Sequence, residues 1–390
     1  MSGRDFIHLP GPTNIPDRIL EAYRRPIIDF RAPEFQEHLD RMFHRLPDVF
    51  GMEKVVSYIS NGHGAWEGTL RNIARPGQRM LLADTGMFSG RWGDMVEGLG
   101  FKLSVTPADI RRGVDVAAVR DALAADTDHE IVAVLVAHTE TSTGIRTDLG
   151  QLRDALDAVD HPALLVIDAI ASLGTETIDV EAHGVDVIIA ASQKGLMLPP
   201  GLSFCGISER AYERSLEYHE ASSYWAWPSR LDESAPYRRF GGTPPEQAVF
   251  ATNVALDLIE EEGGIDAVIA RHARLADAVR AAVEVWGQNG AMEFNALDPA
   301  ARANAVTAVR LAEGIDGDEL CTVARERFGV AIGGGMLDMA EGRGIRIGHL
   351  GDLNEPMILG ALAGAEVAMR HVGIDVGSGA LDAAIASLAD

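Results

Sequence analysis

The sequence predicts an α/β protein, with a large domain built on a mostly parallel sheet covered by helices and a smaller C-terminal α+β domain. Three observations predict it. From about residue 55 to 210, short β-branched runs alternate with Ala- and Leu-rich stretches whose apolar residues recur at helical spacing. Past Ser208 the pattern changes to long helical stretches. From about Gly290, isolated apolar strands mix with helices around a Gly-rich turn. With 390 residues, 47% of them hydrophobic, the chain can bury a large core and a second, smaller one.

In chain order, strands are expected near Val55–Ile59, Met80–Ala83, Ile131–Ala137, Leu164–Ile167, Val185–Ala190 and Ser203–Gly206. Covering helices such as Val116–Ala124 and Leu149–Val159 fall between them. Two long helices follow, Pro245–Glu262 and Ile265–Trp286, the second stopped by Gly287. The remainder predicts a strand at Ala305–Leu311, a helix at Gly317–Phe328, a turn at Gly333–Gly335, a strand ending Ile345–Gly348 and a helix from Asn354 to His371. This divides the chain into an N-terminal segment (1–20), a large domain (21–260) and a small domain (261–390).

The 34 basic and 58 acidic residues give a formal charge of -24, which repels nucleic acid and anionic lipid. A phosphate-bearing ligand therefore needs a local seat of backbone donors. Cys205 and Cys321 each lie in an apolar or helical stretch, which excludes a disulfide framework or a thiolate metal cluster; no metal is expected. The first five residues lack a signal peptide's layout, and no apolar run approaches membrane-spanning length. A soluble, cytoplasmic protein is expected.

Lys194 follows an apolar strand in Ala190-Ala191-Ser192-Gln193-Lys194-Gly195, which puts it at the sheet's carboxyl edge, where ligands bind. Alone, a loop lysine is a solvated charge. Asp168 ends another apolar strand, and an acid there is costly unless paired; alone it is a helix cap or a structural ion pair. Together they suggest pyridoxal 5'-phosphate (PLP) chemistry, which needs a lysine for a Schiff base and a carboxylate for the pyridinium nitrogen. Ser60-Asn61-Gly62-His63-Gly64 is a strand-to-helix turn able to seat a phosphate, although such turns are common without ligands. Phe88 follows a strand and is either a ring-stacking side chain or core. Thr141 lies in a hydroxyl-rich turn where it can donate to a phenolate oxygen. Arg346 interrupts an apolar strand with a guanidinium suited to a substrate carboxylate or to an internal salt bridge.

Through these segments the chain resembles the class V (fold type I) PLP aminotransferases, in the branch of alanine–glyoxylate, serine–glyoxylate and serine–pyruvate enzymes. The likeness runs nearly end to end, from Pro10-Gly11-Pro12-Thr13-Asn14 through the segments above to Ser192-Gln193-Lys194-Gly195, Gly242-Thr243-Pro244-Pro245 and Arg346-Ile347-Gly348-His349. The resemblance implies a seven-stranded large-domain sheet. It implies that Asn61, Gly62, His63 and Gln193 hold the phosphate, that Phe88 and Ile170 cover the ring, that Thr141 neighbours the phenolate oxygen and that Asp168 meets the ring nitrogen. It also implies that Lys194 forms the Schiff base, that Arg346 takes the substrate carboxylate and that Thr243 reaches the phosphate of the other subunit of a homodimer. The implied activity is ping-pong transamination between a small amino acid (serine, alanine or aspartate) and a 2-oxo acid such as glyoxylate or pyruvate.

Phe240 stands where many relatives have a Tyr that helps bind phosphate, and the Ser222–Trp227 segment departs from the branch, its tryptophans suiting packing. Met336 stands where the related pyridoxamine–pyruvate enzymes place an Arg, which argues against that substrate. A lyase of the same fold, such as a cysteine desulfurase, is disfavoured by the placing of both cysteines. A non-catalytic relative is disfavoured by the intact Lys194, Asp168 and Arg346.

Overall fold

The structure, a computed structural model, describes residues 5–218, 222–232 and 236–389. Twelve strands carry the fold: β1 (Phe6–His8), β2 (Lys54–Tyr58), β3 (Arg79–Ala83), β4 (Lys102–Thr106), β5 (Ile131–Ala137), β6 (Leu164–Asp168), β7 (Val187–Ala191), β8 (Ser203–Ile207), β9 (Met292–Phe294), β10 (Val306–Leu311), β11 (Val330–Gly334) and β12 (Gly344–Gly348). Seven form one sheet in the order β2-β8-β7-β6-β5-β3-β4. Only β8 runs against its neighbours. Strands β5, β6 and β7 are buried at every residue because helices cover both faces, hence their unbroken apolar runs.

The helices that bear on the site are α1 (Gly62–Ile73) and α2 (Met87–Gly98), which leave the carboxyl ends of β2 and β3. Then come α3 (Glu246–Glu262), α4 (Ile265–Trp286), α5 (Gly317–Phe328), α6 (Glu355–His371) and α7 (Ala380–Ala389). Helix α4 joins two cores. Its Val268 packs with the large-sheet cluster, while Leu275 through Trp286 pack with α6 and α7 in the cluster over the second sheet.

The second sheet has the order β1-β11-β12-β10-β9. β1 pairs in parallel with β11, so the chain's first described residues belong to the small sheet. Leu9–Asn14 then crosses to the large domain, where the Thr13 amide donates to Gln193 O (3.2 Å). Gly333 and Gly334, expected in a turn, instead pair with Arg346 and Ile345 as the end of β11. Their lack of side chains serves packing: a Cβ at Gly333 would press on Pro10 and Arg346, at 3.3 and 3.4 Å. Among the described residues, no helix is long and apolar enough to cross a membrane.

Buried histidines brace β12 and the chain beyond it. His8 Nδ1 bonds Gly348 O (3.0 Å), and His349 joins Thr307 Oγ1 and Asn304 O (2.9 and 2.8 Å). His272 Nδ1 donates to Val268 O (2.8 Å) and its Nε2 accepts the Gly351 amide (2.9 Å). Burial lowers His8 from 6.5 to about 4 and His272 to about 3. With folded values depressed, the unfolded chain takes up protons first, so the stability these groups permit is present above pH 6.5 and is lost as pH falls toward those values. Buried Glu176, raised to about 7, works in the opposite sense as pH rises, so one histidine must be isolated. In urea unfolding of wild type and His272→Gln between pH 7 and 4.5, we expect the wild type's advantage to shrink below pH 6.5 by about 1.4 kcal/mol per pH unit. A constant difference contradicts the assignment.

Candidate active site

Parallel strands bring the predicted residues to one edge. β6 ends at Asp168 and β7, its parallel neighbour, ends at Ala191, just before Lys194. Asn61 follows β2, Phe88 follows β3 and Thr141 follows β5. They meet around a cavity of about 280 Å³ whose walls include Asn61, Gly62, His63, Phe88, Thr141, Asp168, Ile170, Gln193 and Lys194. Arg346, on β12, stands behind this wall and is 7% exposed. Its Nη1 donates to Thr141 O (3.1 Å) and its Nε to Gly334 O (2.8 Å). Both acceptors are neutral carbonyls. Thr243 lies outside the cavity, exposed in a separate groove of about 570 Å³ beside Phe30, Arg31 and Tyr237.

Burial sets the charge states at the centre. Asp168 accepts from the Ile170 amide (2.7 Å) and from Trp66 Nε1 (3.1 Å). Burial raises its carboxyl to about 7, the Glu140 charge adding to the rise and the two donors and Lys194 opposing it. Burial likewise lowers the Lys194 amine to about 8 against the pull of Asp168, with Arg346 adding to the drop. Desolvation outweighs their attraction in both groups. Lys194 Nζ donates to Pro10 O.

At the α1 end, Asn61 Oδ1 caps the helix by accepting from the His63 and Gly64 amides (3.1 and 3.4 Å). A side chain at Gly62 would collide with Ile170 Cδ1. His63 is exposed, its ring against Trp66 with centroids 4.4 Å apart, and partial desolvation and the Arg91 charge lower its pKa. The cavity thus has a helix N-terminus and an amide side chain at one part of its wall, a carboxylate and an amine at another, and Phe88 and Ile170 as apolar surface. Two lining residues carry buried polar atoms with no partner among the described residues, Gln193 Oε1 and Thr139 Oγ1. Such orphans fit a polar ligand, and this donor set fits the phosphate, ring and aldehyde of PLP.

The sequence reading missed five contributors. Trp66 holds Asp168 across 102 residues, and only its aromatic character in an amphipathic helix marked it. Thr139 and Glu140 lay unremarked beside Thr141. Gly11 and Pro12 line the cavity, although they were noted only as a likeness. Phe240 is 1% exposed and packs on Phe43, and Trp227 is wholly buried. Cys205 in β8 and Cys321 in α5 are both pushed up to about 12 by burial, so neither is a thiolate near neutrality.

Residues 48–337 match the family described as aminotransferase class-V. The chain is 38% identical to the serine–glyoxylate aminotransferase of Hyphomicrobium methylovorum, over 97% of this chain and 93% of that protein. It is 37% identical to the L-aspartate–glyoxylate aminotransferase of Paracoccus denitrificans, over 97% and 95% respectively. The crystal structure of the ureidoglycine–glyoxylate aminotransferase from Bacillus subtilis superposes with a TM-score of 0.89 at 22% identity, covering 100% of this chain and 99% of that one, a likeness of fold.

Gly11 has φ +102°, and a Cβ there would lie 2.6 Å from both Cδ and Cε of Lys194. Gly11→Ala should therefore displace the lysine while the fold persists. We expect its labelling by an aldehyde reagent to slow on the order of 10-fold or more, followed by peptide mass analysis. A wild-type labelling rate would show that the contact does not position the amine.

Proposed function

The chain belongs to the class V aminotransferases, a family of PLP-dependent transaminases, and from that premise we propose that it transfers the amino group of serine, alanine or aspartate to glyoxylate or a similar 2-oxo acid such as pyruvate. One observation carries the reading: a buried amine and a buried acid, Lys194 and Asp168, share a cavity at the carboxyl edge, with Arg346 tied to its wall.

When bound, PLP supplies an electron sink conjugated to the substrate's amine. Asp168 pairs with the ring nitrogen; a protonated nitrogen beside it favours the carboxylate over the acid that burial alone favours. Lys194 would hold the cofactor by its aldehyde carbon, and its amine, lowered to about 8 by burial, would be the group placed to move a proton at the substrate's α-carbon. Arg346 binds the α-carboxylate: among the described residues its hydrogen bonds use Nε and Nη1 on neutral carbonyls, and none goes to a carboxylate. Phe88 and Ile170 cover the ring and exclude water, and Thr141 donates to the phenolate oxygen. Asn61, Gly62, His63 and Gln193 hold the phosphate.

Thr243, exposed and apart from its own cavity, suits a contact with the phosphate site of the partner in a homodimer. We place the large domain at 21–260 and the small domain at 261–390, and the enzyme in the cytoplasm, with small amino and 2-oxo acids as its substrates.

Lys194→Ala should lose the bound cofactor's visible absorbance and at least about 10²–10⁴-fold in turnover; persistence of that band rules out the lysine's role. Arg346→Ala should raise the KM for amino and 2-oxo acids about 100-fold, as loss of a charge-assisted pair predicts, and unchanged values for every substrate would remove Arg346 from the site. A panel of donors against glyoxylate and pyruvate, followed spectrally, should show serine, alanine or aspartate discharging its amino group; no reaction with any of them refutes the substrate class.

A further inference from the structure

Beyond β5, the short hairpin Thr139–Glu140 with Ile145–Arg146 carries a carboxylate that is 0% exposed. Glu140 Oε2 accepts from the amides of Phe88 (3.0 Å) and Ser89 (3.1 Å), in the first turn of α2. Its Oε1 accepts from the amide (2.9 Å) and the hydroxyl (2.6 Å) of Ser142. Amides at a helix start have no partner within the helix, and negative charge is favoured there. The carboxylate comes from a segment 52 residues away in sequence, so the contact fixes one element against another. Space is tight as well: a Cβ at Gly86, where φ is +156°, would come within 2.8 Å of Glu140 Cγ and 2.7 Å of Ser142 Oγ.

The same turn is gripped from the small sheet. Arg346 Nη1 holds Thr141 O (3.1 Å), Asn295 Nδ2 holds Thr143 O (2.9 Å), and Gly144 packs so closely on β10 that a Cβ would lie 2.9 Å from the Ala308 amide nitrogen. Phe88 and Thr141 both line the cavity. Glu140 bonds the backbone of the first and immediately precedes the second. Its charge also faces Asp168 and Arg346 through space, favouring the acid form of one and the cation of the other.

We propose that Glu140 is a positioning residue for the reaction: its carboxylate locks the Phe88 end of α2 to the turn that holds Arg346, so that the cofactor's cover and the grip on the substrate carboxylate are set as one unit. The inference rests on the roles given above to Phe88 and Arg346. A carboxamide keeps the shape but presents an NH₂ group to the Ser142 donors, so Glu140→Gln breaks the lock without opening a cavity.

The test uses the full-length enzyme and its Glu140→Gln, Arg346→Ala and double variants, measuring PLP dissociation by absorbance titration and the KM and kcat for the 2-oxo acid. Glu140→Gln should weaken PLP about 10-fold and raise the KM about 5-fold, as expected for lost charge-assisted bonds. In the double variant, the KM effects should combine to less than their product, because the Arg346 grip through which Glu140 acts is already gone. A lower melting temperature with unchanged PLP affinity and KM, or effects on KM that multiply independently, would overturn the proposal. Should Glu140→Gln fail to fold, Ser142→Ala removes the hydroxyl bonds to Glu140 and Met87 while leaving the charge. It should give the same two shifts at smaller size, and unchanged constants there overturn the proposal equally. If instead Lys194→Ala keeps its visible band, the underlying reading of the site fails; if only the Glu140 variants behave as wild type, that reading survives without this inference.

Discussion

Desolvation of two opposite charges in one cavity is the constraint on which the rest of this structure depends. A buried amine and a buried carboxyl would normally settle as an ion pair. Here burial outweighs their attraction and brings both toward neutrality, the amine to about 8 and the acid to about 7. Each can then exchange protons near physiological pH, which an ordinary surface lysine or aspartate does not do. The parallel sheet makes this geometry possible, because β6 and β7 run side by side in the same direction and deliver both residues to one edge.

Around that centre the fold joins two sheets through short, specific contacts. The N-terminal chain leaves β1 in the small sheet, passes over Lys194 and bonds the loop that carries it. The turn after β5 receives Arg346 from the other side. A change in the angle between the sheets would therefore be felt at the lysine and at the arginine together. Buried histidines hold β12 and the residues after it by backbone bonds, which keeps Arg346 on a rigid strand.

Much of this was legible in the sequence wherever local chemistry conflicts with local pattern. Asp168 at the end of an apolar strand and Arg346 in the middle of one are expensive placements, and both prove to be near the cavity. Strands β5 to β7 were legible because burial on both faces demands continuous apolar runs. Edge strand β4 was not, since Lys102–Thr106 is partly exposed and breaks the pattern. The glycines of β11 resembled a turn because their purpose, room for Pro10 and Arg346, lies in distant residues. Trp66 and Glu140 escaped for the same reason: each acts on a partner remote in the chain, and neither residue type announces that partner.

The chain has three lysines, Lys54, Lys102 and Lys194. Lys54 is paired with Glu209 and Lys102 is exposed on the edge strand. Incubation with PLP, borohydride reduction and peptide mapping therefore tests the central claim directly. The account predicts a single adduct, on Lys194; an adduct on Lys54 or Lys102 instead, or none on Lys194, would contradict it.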